Sequence, residues 1–332
     1  MTTRVAVNGF GRIGRAFTRM TKDRADLEVV AVNDITDAKA LAHLLEFDST
    51  YGRFGNVGFE DHALVVAGRR IPVLAERDPA AIDWGALGVD LVVESTGKFR
   101  TREAAAVHLK GGARKVLISA PGKGVDATVV LGVNGDAYDP VRHDVISAAS
   151  CTTNCVAPMV KVLHDAFGVE RGFMTTIHAY TGDQMLLDGP HKDPRRARSA
   201  AVNIVPTTTG AARATGEVIP ALAGKLDGVA VRVPVEDGSL TDLAVVLATQ
   251  VTADDVNAAF VEAAAGPLAG ILRFSAAPIV SRDIIGEPAS CVFDSPLTQA
   301  SGTLVKVFGW YDNEWGYTSR LADLAALVGR QL

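Results

Sequence analysis

Short apolar runs, each closed by glycine or a small polar residue, punctuate the first half of the chain. Arg4 to Val7 is the first and Leu27 to Val32 the second; Leu91 to Glu94, Lys115 to Ser119 and Val145 to Ala149 follow. Runs with so little alternation suit strands buried on both faces of a parallel sheet. Between them the period lengthens. In Arg12 to Thr21 the apolar positions are 13, 16, 17 and 20, the one-sided stripe of a helix, and Arg102 to Leu109 is a further helical stretch. Strand and helix in alternation predict a doubly wound α/β domain. Asp48 to Gly58 and the Gly111-Gly112 pair read as loops.

The second half is patterned differently. From Cys151 the positions 156, 160, 163 and 167 continue a helical stripe, in which Pro158 removes one backbone donor, so a kink or loosened turn is expected there. Phe173 to Ile177, Val229 to Pro234, Leu243 to Thr249, Ser290 to Asp294 and Thr303 to Trp310 read as strands, and Asp254 to Ala265 as a helix starting after Thr252. A mixed or antiparallel sheet with covering helices follows. Ser319 to Val328 is a last apolar-periodic helix with no new strand to join, expected to pack back on the first domain.

At 332 residues the chain is longer than one core grows, so two domains are expected. A composition of 48% hydrophobic and 21% charged residues, with no apolar run of membrane-spanning length, is that of a soluble protein without a membrane anchor. The net charge of −5 argues against a nonspecific nucleic-acid surface, although the local patch Asp193-Pro194-Arg195-Arg196-Ala197-Arg198 could hold a phosphorylated metabolite. Met1 to Arg4 runs into a strand without a secretory leader, and three cysteines fit a reducing, cytoplasmic setting. Cys155 lies one turn after Cys151, but no further Cys or His completes a ligand cluster, so no metal is expected; Cys155 and Cys291 read as buried structural thiols.

Chemistry enters at the end of the first strand. Gly9, Gly11 and Gly14 fit G-x-G-x-x-G: the first permits a tight turn, the second lets backbone approach a pyrophosphate, the third allows close helix–strand packing. Asp34 ends the second strand twenty positions after Gly14, the spacing of a carboxylate that accepts the adenosine ribose hydroxyls and repels a 2′-phosphate. NAD is thereby favoured over NADP. An ordinary turn and a helix cap are the plainer readings of the separate pieces; strand, glycines, helix, strand and acid in register favour the nucleotide. Ser95-Thr96-Gly97 and Ser119-Ala120-Pro121 also fall just past strand ends, as ligand positions or simple turns.

Cys151, in Ser150-Cys151-Thr152-Thr153-Asn154, follows a strand and opens a helix, where free N–H groups and the helix dipole favour thiolate. It is the nucleophile candidate. Of seven histidines, His178 stands apart because it ends a strand and could face Cys151 from the sheet's edge; a satisfied structural role is its alternative. His43, His62, His108, His143, His164 and His191 read as solvated or capping. Thr207 to Ala212 offers hydroxyls and a helix start, a combination that captures phosphate. Arg232, inside a strand-like run, is costly to bury unless paired with an anion; an edge-strand or salt-bridged arginine is the other reading.

Together these residues resemble the phosphorylating glyceraldehyde-3-phosphate dehydrogenase family. Carrying the resemblance are Asn-Gly-Phe-Gly-Arg-Ile-Gly-Arg from 8, Ser-Cys-Thr-Thr-Asn-Cys from 150, His-Ala-Tyr-Thr-Gly-Asp-Gln from 178, His-Lys-Asp-Pro-Arg-Arg-Ala-Arg from 191, Pro-Thr-Thr-Thr-Gly-Ala-Ala from 206 and Trp-Tyr-Asp-Asn-Glu-Trp-Gly-Tyr from 310. It implies a Rossmann-type parallel-sheet domain over residues 1–149, completed by 313–332, and an α+β catalytic domain with a mixed sheet over 150–312. It further implies that Arg12 and Ile13 meet the cofactor pyrophosphate, Asp34 the ribose, Arg77 and Ser119 other parts of NAD, Asn313 the nicotinamide carboxamide and Tyr317 its ring. Thr181 and Arg232 would bind the phosphate of glyceraldehyde 3-phosphate; Ser150, Thr152, Thr209, Gly210 and Arg196 would line the sites of substrate and incoming inorganic phosphate. Catalysis would fall to Cys151 and His178, and the segment from about Thr181 to Ala201 would pack between subunits of a homotetramer. Gly189, where many members have leucine, and Val235-Glu236-Asp237-Gly238, in place of a commoner Thr-Pro-Asn-Val, depart from the family. Erythrose-4-phosphate dehydrogenase shares the resemblance, and a non-catalytic nucleotide-binding scaffold is the alternative of a different class.

Overall fold

The structure is a computed structural model that describes residues 2–332; Met1 lies outside the described residues. The chain divides into two compact units, one of residues 2–129, 135–149 and 318–332, the other of 130–134 and 150–317. In the first unit β1 (Thr3–Asn8), α1 (Arg12–Thr21), β2 (Leu27–Asn33) and α2 (Ala38–Glu46) lead into three short strands, β3 (Val57–Glu60), β4 (Ala63–Val66) and β5 (Arg69–Leu74). Then come β6 (Leu91–Glu94), α3 (Arg102–Ala105), α4 (Val107–Lys110), β7 (Lys115–Ile118), β8 (Ala127–Thr128) and β9 (Val145–Ser147). The sheet order is β3-β4-β5-β2-β1-β6-β7-β9-β8.

From β5 to β8 every pairing is parallel, with β1 between β2 and β6, whereas β3, β4 and β5 pair antiparallel at one margin. Val5, Ala6, Val7, Leu91, Val92, Val93, Val116 and Leu117 are fully buried, as strands covered on both faces must be. The reading of Asp48 to Gly58 as loop holds up to Val57, where β3 begins; these strands are too short for a period to show. The helical stretch Arg102 to Leu109 is two single-turn helices, α3 capped by Thr101, whose hydroxyl accepts from Ala104 N at 3.1 Å.

The second unit opens with α5 (Cys151–Phe167), which runs through Pro158 without a break, and β10 (Val169–Ala179). β11 (Val205–Thr208), α6 (Ala211–Val218), β12 (Leu226–Val233), β13 (Ser239–Leu247), α7 (Ala253–Ala265), β14 (Leu272–Ser275), β15 (Cys291–Asp294), β16 (Gln299–Ser301) and β17 (Leu304–Tyr311) follow. The sheet is mixed, in the order β11-β12-β10-β13-β17-β15-β14, with β16 beside β17. β13 alternates strictly between buried and partly exposed positions, so one sheet face meets the core. There Val156, Met159, Val160 and Leu163 of α5 join Leu243, Val245, Phe260, Phe293 and Val307 in one apolar cluster. The other face keeps Phe173, Val229 and Leu304 exposed. From Trp315 the chain continues as α8 (Trp315–Gly329), whose residues from Thr318 belong to the first unit.

Candidate active site

The candidate cofactor cleft is built at the carboxyl ends of β1 and β2. Gly9 has φ +93°, and a Cβ there would lie 2.7 Å from Thr96 N; a Cβ on Gly14 would lie 2.4 Å from Gly9 O and 2.9 Å from Val7 Cγ1. Both positions therefore need glycine, one for the turn and the other for packing. Nothing stands within 4 Å of a Cβ at Gly11, leaving that backbone open to a ligand. A cleft of about 410 Å³ is lined by Gly9, Gly11, Asp34, Arg77, Thr96 and Phe99 among others. Asp34 Oδ2 accepts from Phe10 N at 2.8 Å and Oδ1 from Thr36 N at 3.0 Å, which aims the carboxylate along the cleft wall. Arg12, at the start of α1, is ion-paired with Asp48 and lies over the Tyr51 ring, while Ile13 is half-buried beside it. Ser119 stands past the end of β7, its hydroxyl donating to Glu94 O at 3.2 Å.

His108 requires a correction. It is fully buried, not solvated: Trp84 Nε1 donates to its Nδ1 at 3.1 Å and Glu94 Oε2 lies 3.0 Å from its Nε2. Its sequence surroundings look like any helical surface, because both partners lie elsewhere in the chain.

The thiol site belongs to the second unit. Ala149, with φ 56°, turns the chain out of the strand region; this left-handed conformation costs a non-glycine residue about 1 kcal/mol. Ser150 then caps α5, its Oγ accepting from Thr153 N at 3.0 Å. Cys151 is the first residue of the helix, half-buried, with its Sγ 3.5 Å from His178 Nε2. His178 lies near the end of β10, buried, and its Nδ1 donates to Ala179 O at 2.7 Å. Nε2 is left as the acceptor facing sulfur.

Burial pushes the Cys151 thiol up to about 11, opposed by Arg232 and by hydrogen bonding at Thr152; burial, with Arg232, pushes the His178 imidazolium down to about 3. Each ion alone is thus disfavoured. A thiolate beside an imidazolium differs from the neutral pair by one proton across 3.5 Å and adds no net charge to the site. The helix start favours the sulfur member of that pair.

Arg232 sits opposite His178 in the parallel pairing of β12 with β10. Its Nη1 donates to Thr181 Oγ1 at 2.6 Å, while its buried Nε and the Gln184 Nε2 beside it have no partner. Burial pulls the guanidinium below its ordinary value, with Asp183 acting the other way. β12 is an interior strand, so the edge-strand reading of Arg232 falls. Two buried donors without acceptors are the chemistry an anion would satisfy. Arg196 donates through Nε to Thr207 Oγ1 at 3.0 Å and pairs with Asp183 at 2.8 Å. Thr209 and Gly210 stand at the start of α6, where Thr209 Oγ1 accepts from Ala211 N. The Thr152 hydroxyl is buried, 2.8 Å from Tyr311 OH.

Sequence reasoning missed Tyr311 and Ser239. Tyr311 OH also lies 2.8 Å from Thr176 Oγ1, and its ring meets His178 edge-on at 5.9 Å between centroids. Burial raises its phenol well above the ordinary value, so it remains a donor. Ser239 Oγ accepts from Ala179 N at 3.1 Å and donates to Asn313 Oδ1 at 2.6 Å. Tyr317 is buried in the same unit. Adjacency to Asp312-Asn313 was the one available signal for Tyr311; Ser239 had none.

A glycine-turn cleft with an acid at the end of the second strand, on a chain that also carries a paired thiol and imidazole, is the arrangement of an NAD-dependent oxidoreductase. Residues 3–102 match the family model described as glyceraldehyde 3-phosphate dehydrogenase, NAD binding domain, and residues 150–313 match its C-terminal domain. Glyceraldehyde-3-phosphate dehydrogenase of Streptomyces coelicolor is 59% identical, and glyceraldehyde-3-phosphate dehydrogenase 2 of Streptomyces avermitilis 58%, each over the whole of both chains. The Mycobacterium bovis enzyme of that name is 58% identical over the same full extent. The chain belongs to the glyceraldehyde-3-phosphate dehydrogenase family. Among the described residues no helix is long and apolar enough to cross a membrane.

Proposed function

We propose that the protein oxidises glyceraldehyde 3-phosphate to 1,3-bisphosphoglycerate with inorganic phosphate, through an acyl group carried on Cys151. The carrying observation is the 3.5 Å approach of Cys151 Sγ to the acceptor nitrogen of His178, beside the unpartnered donors of Arg232 and Gln184. Sulfur attacks the aldehyde carbon, and Thr181 and Arg232 hold the substrate's own phosphate. His178 takes the hydroxyl proton of the thiohemiacetal, while N–H groups at the start of α5 face the oxygen. Gly9, Gly11, Arg12, Ile13, Gly14, Asp34, Arg77 and Ser119 would hold the dinucleotide of NAD and Asn313 and Tyr317 its nicotinamide end, where the group would supply a hydride acceptor. The thioester keeps the acyl group activated until phosphate, gathered by Ser150, Thr152, Arg196, Thr209 and Gly210, attacks it.

The enzyme acts in the cytoplasm as a homotetramer. Two apolar surfaces of the catalytic unit support assembly: Phe173, Val229 and Leu304 on the outer sheet face, and Leu186, Leu187, Val202 and Ile204 around the 181–201 segment. An NADH assay with glyceraldehyde 3-phosphate tests the reading, run with and without phosphate and with both nicotinamide cofactors. NADH formation should require phosphate and prefer NAD, and Asp34→Gly should narrow that preference. Phosphate-independent turnover would assign a hydrolytic enzyme; no turnover with active-site residues intact would assign a binding protein.

A further inference from the structure

Asn33, Asn8 and Glu94 stand level at the carboxyl ends of three adjacent parallel strands, since the register pairs Asn8 with Asn33 on one side and with Glu94 on the other. All three are buried. Their hydrogen bonds form one network whose direction chemistry dictates. The Trp84 indole can only donate, so His108 accepts at Nδ1, carries its proton on Nε2 and donates to Glu94 Oε2. From the opposite side Asn33 Nδ2 donates to Asn8 Oδ1 at 2.7 Å, and Asn8 Nδ2 donates to Glu94 Oε2 at 2.5 Å. Thr96 donates twice to Glu94 Oε1, through N at 2.8 Å and through Oγ1 at 2.5 Å. Four neutral donors thus converge on one buried carboxylate.

Such a group is expensive to bury, and a core needing only stability is better filled with apolar side chains. What the network touches points to its use. Asn8, Asn33, Thr96 and Glu76 line the cofactor cleft, and Asn33 both accepts from Glu76 N and donates to Glu76 O. Trp84 and His108 lie behind it, fully buried. Thr96 N is also the atom a Cβ on Gly9 would strike, so Thr96 is the surface on which the glycine turn rests.

We propose that Glu94, aimed by His108 and Trp84, is a positioning residue for NAD: its carboxylate fixes Thr96 under the glycine turn and Asn8 beside Asn33, presetting the floor on which the dinucleotide lies. The proposal rests on the assignment of this cleft to NAD. His108 acts only through Glu94. A glutamine at 94 keeps the shape but turns an NH2 toward donors, so at least one of the four loses its acceptor.

Glu94→Gln, Trp84→Phe, His108→Ala and His108→Gln test it in the full-length protein. Glu94→Gln and His108→Ala should raise the Kd and KM for NAD about tenfold, the size of one lost charge-assisted bond. The KM for glyceraldehyde 3-phosphate and the iodoacetate alkylation rate of Cys151 without cofactor should not change. His108→Gln, which keeps a donor toward Glu94, should recover most of the loss, and Trp84→Phe should give a smaller rise. Lowered melting temperatures with unchanged NAD affinity would overturn the proposal and leave a structural buttress, as would equal changes in the KM of both substrates. Should Glu94→Gln fail to fold, the His108 and Trp84 variants decide by the same readouts. A parent protein that binds no NAD would instead reject the assignment of the cleft.

Discussion

His178 commits Nδ1 to the carbonyl of Ala179 and leaves Nε2 facing the sulfur of Cys151, so the ring works in one direction only. Its value to the thiol can be measured by removing it. Burial pushes the Cys151 thiol up to about 11, so in His178→Asn a lone thiol without its imidazole should be mostly protonated well below that value. Thiolate then grows tenfold with each pH unit as the pH rises toward it. Iodoacetate alkylation at neutral pH should fall by about tenfold or more and climb steadily into the alkaline range, and kcat should fall about 100-fold. Alkylation at the parent rate near pH 7 would show that sulfur does not depend on the imidazole. Cys151, Asp34 and the glycines were legible in the sequence because each sits at a fixed offset from the end of a recognisable strand. Tyr311, Ser239 and the buried partners of His108 were not. Tyr311 reaches Thr152 and Thr176 across 159 and 135 positions, and no local pattern records such a meeting.

At the scale of elements, two turns carry the residues proposed for the chemistry: β1 into α1 around the glycines, and the passage through Ala149 into α5. The first is rigid by exclusion of side chains. Gly14→Ala would drive a methyl group into Gly9 O and Val7, so it should destabilise the first unit by about 1–3 kcal/mol and weaken NAD binding, read by thermal melting and by titration with NAD. Unchanged melting would mean that α1 can shift away from β1 without cost. The buried parallel strands and the longer helices were readable from periodicity because each presents several turns or residues to a core. β3, β4 and β5 were not, being four to six residues long, with β3 and β5 partly exposed. The single turns α3 and α4 merged into one apparent helix because a 3.6-residue stripe does not register the break at Ala106. Pro158, which offers no backbone donor, lies inside α5 without ending it, and Val156, Met159, Val160 and Leu163 bury the helix in the core on either side.

At the scale of the molecule, the catalytic unit leaves one face of its sheet uncovered, with Phe173 75% exposed. A lysine in its place should lower the sedimentation coefficient by splitting the proposed tetramer while each chain stays folded; an unchanged coefficient would move the interface elsewhere. The division into a parallel α/β part and a mixed-sheet part was readable from the change of pattern near residue 150. That a C-terminal helix returns to the first unit was readable only from the lack of a strand for it to join. The claim on which all of this depends is that Cys151 carries the acyl group between oxidation and capture. Mass spectrometry of the protein mixed with glyceraldehyde 3-phosphate and NAD in phosphate-free buffer tests it most directly. One phosphoglyceroyl group should appear on the peptide holding Cys151 and vanish when phosphate is added; an unmodified Cys151 while NADH accumulates, or an adduct on another residue, would contradict the account.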